Sequence, residues 1–259
     1  MTIVGVLGVK GGCGASILAT NLAVSLAQHE SCLMIDLHTK LAYDDLLLDV
    51  RTQRSWVDLL PVAGEITDRH LEIAVAFHHS GVKFLCAPEN TAQAIDPHSL
   101  SILLQNLARR YEWIVMDLPV GLGSPTKASL HVLDFLLLVT TGDLPALRNA
   151  QRSIAEFSKQ QRKRVYLVLN QIGKGHPAEP LRVASALGLP LLGTLPLDPR
   201  SIGYQISFGM PCVLDTRSKI GVAINRLGQT LRHSHQRETD SVMRRSEGLA
   251  GLVSKKSKT

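Results

Sequence analysis

Gly8-Val9-Lys10-Gly11-Gly12-Cys13-Gly14-Ala15-Ser16 decides how this chain is read. The apolar run Ile3-Val4-Gly5-Val6-Leu7 before it has the character of a buried strand. After it, Leu18, Leu22 and Leu26, with Ala19, Ala23 and Ala27, recur at helical spacing. Strand, glycine-rich turn and helix form the context in which a glycine pattern becomes a phosphate-binding motif. Glycines let backbone N–H groups turn inward, and a helix N-terminus adds about half a positive charge facing an anion. Ser16 falls at the start of the helix, where its hydroxyl is available to Mg²⁺.

Composition sets the frame. A chain of 259 residues, 45% hydrophobic, can bury one large core. Its first residues form an apolar strand without a basic leader or cleavage site, which argues against a signal peptide. No uncharged run approaches the roughly 18 apolar residues of a spanning helix. Cys13, Cys32, Cys86 and Cys212 are scattered and form no C-x-x-C pair, which suggests reduced thiols and a cytoplasmic location. The formal charge is +6, and residues 232–259 hold seven basic side chains against three acids. The tail therefore carries most of the excess, which argues against nucleic acid as a partner and for a loosely held acidic one.

Further apolar runs end at Asp36, Cys86, Asp117, Val139, Asn170 and Leu195. Helical patterns lie between them near residues 97–109, 145–159, 178–187 and 199–208, with a last one around 217–231. Apolar strands alternating with helices predict a doubly wound, mostly parallel α/β sheet with helices on both faces. The expected organisation is one domain over residues 1–231 and a basic, disordered tail over 232–259. Ligands of such sheets sit beyond the carboxyl ends of the strands, so Asp36, Asp117 and Asn170 are expected to converge with the glycine loop.

The loop departs from the standard pattern G-x-x-x-x-G-K-[ST], because Ala15 stands where lysine is required. Lys10, in the order K-G-G-x-G, resembles instead the deviant Walker A motif of the ParA/MinD superfamily of P-loop ATPases. The alanine in the lysine slot is similar to the TadZ/CpaE group of pilus-assembly ATPases. So are Tyr43 to Asp49, Arg110 to Pro119, Thr140 to Ala150, and Leu195 through Asp198 to Gly209-Met210-Pro211.

That resemblance implies a homodimer closed over ATP or ADP with Mg²⁺. Lys10 would be the signature lysine reaching the partner's phosphates, and Gly11, Gly12, Cys13, Gly14, Ala15 and Ser16 the phosphate cradle. Ser16, Asp36 and Asp117 would hold magnesium, with Asp36 and Lys10 as the catalytic pair. Asn170 would read the adenine edge, and Pro196 to Asp198 would line the base pocket. Asp143 and Arg148 would face the dimer partner. His38 occupies the slot where the superfamily carries a second acid, and with Ala15 this predicts slow or lost hydrolysis. The implied role is localisation of a Tad-type pilus secretion apparatus, polar or at the inner face of the membrane, through pilus proteins. Two alternatives stay open: a DNA-partition ATPase, or a MinD-like switch with peripheral membrane contact through Val242-Met243 and Leu249 to Val253.

Overall fold

The computed structural model describes residues 1–40, 42–89, 95–175 and 177–236. Eight strands form one sheet: β1 (Thr2–Gly8), β2 (Cys32–Asp36), β3 (Ala76–Phe77), β4 (Lys83–Leu85), β5 (Trp113–Leu118), β6 (Phe135–Thr141), β7 (Val165–Ile172) and β8 (Leu191–Pro196). Their spatial order is β3-β4-β2-β5-β1-β6-β7-β8. Every neighbouring pair is parallel except β3 with β4 at the edge.

The helices are α1 (Ala15–Ala27), α2 (Asp44–Leu47), α3 (Asp68–Ala74), α4 (Pro97–Ala108) and α5 (Ser124–Ser129). They continue with α6 (Leu144–Glu156), α7 (Lys159–Arg162), α8 (Pro180–Leu187) and α9 (Pro199–Phe208). A 3₁₀ segment, Trp56–Glu65, precedes α3, and a last helix, α10, is described over residues 219–236.

Both faces of the sheet are covered, which is why its strands are almost uniformly apolar. Successive side chains point to opposite faces. Ile3, Leu33, Ile35, Ile114, Met116, Leu136 and Leu138 pack under α4, α5, α6 and α8. Val4, Val6, Met34, Val115, Leu137 and Val139 pack under α1 and α10. On α10 the buried residues Ile220, Ile224, Leu227 and Leu231 follow helical spacing. The Cβ that any other residue would add at Gly221 would lie 2.2 Å from the Cys212 carbonyl oxygen, so the close approach of α10 to that segment requires glycine.

The seven parallel strands and the main helices stand where their hydrophobic patterns put them. Two regions differ. Residues 43–75 form α2, the 3₁₀ segment and α3, short elements whose spacing is too brief to show a period. Helix α10 runs to residue 236, past the expected boundary at 231, because its end is tied down. Arg232 donates to Glu30 Oε1 from Nη2 at 3.1 Å, and His235 lies edge-on to Trp113. The proposed anchor residues Val242 to Val253 lie outside the described residues.

Asp198 joins two helix starts. Its carboxylate accepts from Ser201 N and Oγ at the head of α9, and from Lys219 N (2.9 Å) and Ile220 N at the head of α10. Partial burial opposes its charge, but these donors outweigh it and hold the carboxyl below the usual carboxylate range. Replacing Asp198 by Ala is expected to cost roughly 1–3 kcal/mol through two lost caps. The loss is readable as a lowered urea midpoint at pH 7. Because folding depresses this pKa, the wild-type advantage is present above the unfolded value and disappears as pH falls through the folded one.

Candidate functional site

The site lies at the carboxyl ends of β1, β2, β5, β6 and β7. Gly12 and Gly14 adopt left-handed conformations, with φ of 75° and 89°. A side chain at Gly14 would place its Cβ 2.2 Å from Asn170 Nδ2, so glycine is required there twice over. Nothing beyond their chain neighbours lies within 4 Å of where a Cβ would stand on Gly11 or Gly12, and both residues are exposed.

Amide side chains from α6 and β7 hold the loop. Asn149 Nδ2 donates to the Val9 carbonyl (3.3 Å), Asn170 Nδ2 to that of Cys13 (2.8 Å), and Gln171 Nε2 to that of Gly12 (3.2 Å). Gln171 does this from a left-handed backbone with φ of 60°. Asn170 Oδ1 accepts the Gln171 N–H, so both polar ends of the buried Asn170 amide are engaged. In this conformation Asn170, expected at the adenine edge, clamps the loop.

Asp198, expected to line the base pocket, uses its oxygens to cap α9 and α10. Pro196 ends β8, and Leu197 beside it is exposed. A cleft of about 830 Å³ opens there between Leu197, Tyr204, Met210 and Leu214, and none of its lining residues comes from the phosphate loop.

Ser16, Asp36 and Asp117 do converge. Ser16 Oγ donates to Asp117 Oδ2 at 2.5 Å, and Asp36 and Asp117 are register partners on adjacent strands. Both carboxyls are buried. His38 turns back on Asp36, placing its backbone N 3.0 Å and its Nδ1 2.8 Å from Asp36 Oδ1. Burial works against a charged imidazole, but the Asp36 hydrogen bond and the Asp117 charge prevail and raise the His38 pKa. His38 is thus a cap on Asp36.

The residue that motif reading passed over is Asp44. It enters from α2, is 1% exposed, and lies close enough to Asp36 and Asp117 to feel both charges. Burial first, then Asp36 and Asp117, drive its pKa well up. Burial likewise pushes Asp117 up to about 7. Asp44 Oδ2 and Asp117 Oδ1 are buried without a hydrogen-bond partner. Orphaned carboxylate oxygens beside a serine hydroxyl make a hard, anionic donor set that fits Mg²⁺. Ser16, Asp36 and Asp117 would hold that ion, which would neutralise charge on a nucleotide's phosphates.

Lys10 does not point to bulk water. Its Nζ lies 2.8 Å from Asp143 Oδ2, and Asp143 also caps α6 by accepting from Ala146 N (3.0 Å). Lys10 and the Thr141 hydroxyl hold the Asp143 carboxyl well below its ordinary range. Both partners are more than one-third exposed, so the pair is worth roughly 0–1 kcal/mol.

The charge distribution needs one correction. Arg148, Arg152, Lys159, Arg162, Lys163 and Arg164 follow one another along α6 and α7 against a single acid, Glu156. Among the described residues none of the six forms an ion pair. The folded body therefore carries a basic ridge, obscured in the sequence total by acids elsewhere.

An eight-stranded parallel-type sheet with this loop and these acids defines a P-loop NTPase of the MinD/ParA fold. The chain belongs to the family described as cellulose biosynthesis protein BcsQ, whose sequence model matches residues 1–160, more than half of it. The septum site-determining protein MinD of Synechocystis sp. is 24% identical over 231 residues, covering 86% of each chain. The ParA family ATPase of Chlorobium tepidum superposes with a TM-score of 0.78 at 22% identity, over 88% of this chain and 97% of that one. MinD of Pyrococcus horikoshii, complexed with Mg-ADP, gives 0.75 at 23%, over 89% and 95%. Among the described residues no helix is long and apolar enough to cross a membrane.

The buried acids generate a pH test. Raised folded pKa values mean that the native state holds protons that the unfolded chain has released. The urea midpoint of nucleotide-free protein should fall as pH rises from about 4 to 7 and then level off. The slope should flatten in Asp44→Asn. A midpoint rising over that range in wild type contradicts the assignment.

Proposed function

We propose that this chain is an ATP-binding dimerisation switch with slow turnover, which localises an apparatus of the cell envelope. The observation that carries the reading is the shape of the loop. Its carbonyls are tied back by Asn149, Asn170 and Gln171, while Gly11 and Gly12 stay exposed beside a buried carboxylate set.

Mg-ATP would sit on residues 11–16. Lys10 would leave Asp143 for the phosphates of a second copy, because an exposed pair worth at most about 1 kcal/mol yields to a desolvated charge-assisted bond worth roughly 1.5–3 kcal/mol. Symmetric exchange of the two lysines couples nucleotide binding to association. With Ala15 in the local lysine slot and His38 occupied on Asp36, hydrolysis lacks two aids, and one cation on a transferring phosphoryl alone is worth roughly 10³–10⁵ in rate.

The segments quoted above resemble the TadZ/CpaE group, which supports a Tad-type pilus apparatus as the cargo. The family description, cellulose biosynthesis, names the competing cargo. Deleting the gene and assaying pilin export and cellulose separately distinguishes them.

A second reading, a partition-type ATPase on nucleic acid, is favoured by the ridge from Arg148 to Arg164. It requires filter binding of duplex DNA with a steep negative salt slope, lost on reversing Arg152 and Lys159 to Glu. Flat, weak binding removes it.

Sedimentation velocity tests the main reading. Wild type is expected to shift from monomer to dimer with Mg-ATP, and Lys10→Ala to stay monomeric. Asp143→Asn, which keeps the cap on α6 but frees Lys10, should dimerise at up to about thirty-fold lower protein concentration, because each dimer releases two such pairs. Dimerisation that ignores both nucleotide and Lys10 overturns the switch. Phosphate release faster than about 1 s⁻¹ overturns the slow turnover.

A further inference from the structure

We infer that Asp44 is a third magnesium-associated carboxylate, supplying from α2 the acid that is missing at position 38. The inference rests on reading the loop as a Mg-nucleotide site.

Position 38 supplies an imidazole and not a carboxylate: its backbone N and Nδ1 lie on Asp36 Oδ1, and its ring stands with Asp36 and Asp117 in a group whose ligand atoms are within 4.8 Å of one another. Asp44 reaches the same pocket from the other side of the β2–α2 connection. Its carboxyl is buried and feels the charges of Asp36 and Asp117, and Asp44 Oδ2 and Asp117 Oδ1 each lack a hydrogen-bond partner.

A structural role for Asp44 finds no support in its contacts. Among the described hydrogen bonds its side chain accepts none from a backbone amide, and α2 has no side-chain cap. An unsatisfied buried acceptor costs about 1–3 kcal/mol, and more when charged. Nor is Asp44 carried on a loose segment. Gln205 Nε2 donates to the Leu47 carbonyl (3.4 Å), and its Oε1 accepts from Asn21 of α1 (2.6 Å). Leu47 and Leu48 are buried beneath. The first turn of α2 thus holds a carboxyl in the crevice with an oxygen free for a water of the magnesium shell. Mg²⁺ retains several waters and is steered by acceptors beyond its inner ligands.

The test is equilibrium binding of a fluorescent ATP analogue by full-length protein, titrated with MgCl₂ after EDTA treatment. Wild type, Asp44→Asn, Asp44→Ala and Asp45→Asn are compared. Asp44→Asn is expected to raise the magnesium concentration at half-effect about ten-fold while leaving nucleotide affinity in EDTA unchanged. Asp44→Ala should give the same shift, and urea midpoints at or above wild type report that both fold. Asp45→Asn removes a half-buried charge one residue on, which bears on Asp36 and Asp44 only through space, and should shift the midpoint less than about three-fold. An unshifted Asp44→Asn, or an equal shift in Asp45→Asn, overturns the role of Asp44 and leaves the nucleotide site standing. Wild type that binds the analogue equally with and without magnesium, or not at all, overturns the site and this inference with it.

Discussion

Three carboxyls, from Asp36, Asp44 and Asp117, are folded into one pocket at the ends of β2 and β5, and the rest of the crevice answers to that constraint. Two unit charges 4 Å apart repel by roughly 4 kcal/mol at an effective dielectric of 20, so three buried acids cannot all stay charged unaided. The chain relieves the strain with what is at hand. Ser16 donates to Asp117 and His38 to Asp36. Two oxygens still have no partner. Such a pocket is poor as a stabilising core and well suited to a divalent cation brought in by phosphates. The parallel sheet makes it, because parallel strands end side by side and collect residues distant in sequence.

The cation side of the account is divided differently. A P-loop with its own lysine neutralises phosphates within one chain. Here that lysine slot is Ala15, and the ammonium sits on Lys10, at the front of the loop and parked on Asp143. The parking is weak by virtue of its exposure, and it is also informative. Asp143 caps α6 and also accepts from Thr141, so moving Lys10 away removes its one cationic partner among the described residues and leaves the cap in place. The face of α6 that would notice is the one that begins the basic ridge, with Arg148 and Arg152 exposed on it.

The sheet and its principal helices were legible because long apolar strands and helical repeats are read by period alone. Converging Asp36, Asp117, Ser16 and the loop followed from strand ends. What was not legible has physical reasons. Asp44 lies in a four-residue helix with no period, and nothing local marks its side chain as buried. Gln171 takes a left-handed backbone without being glycine, and Asn170 spends its amide on the loop because its neighbour occupies its oxygen. That Asp198 also caps α10 could not be read locally, because the helix it caps begins about twenty residues on. The ridge on α6 and α7 was hidden because net charge sums over the whole chain, whereas a surface presents charges locally.

Diffraction from crystals grown with magnesium and a non-hydrolysable ATP analogue tests the central claim most directly. The account predicts phosphates cradled by residues 11–16, the ion among Ser16, Asp36 and Asp117, and Lys10 of a second copy within hydrogen-bond reach of the phosphates. An empty cradle, or Lys10 still on Asp143 in every copy, contradicts it.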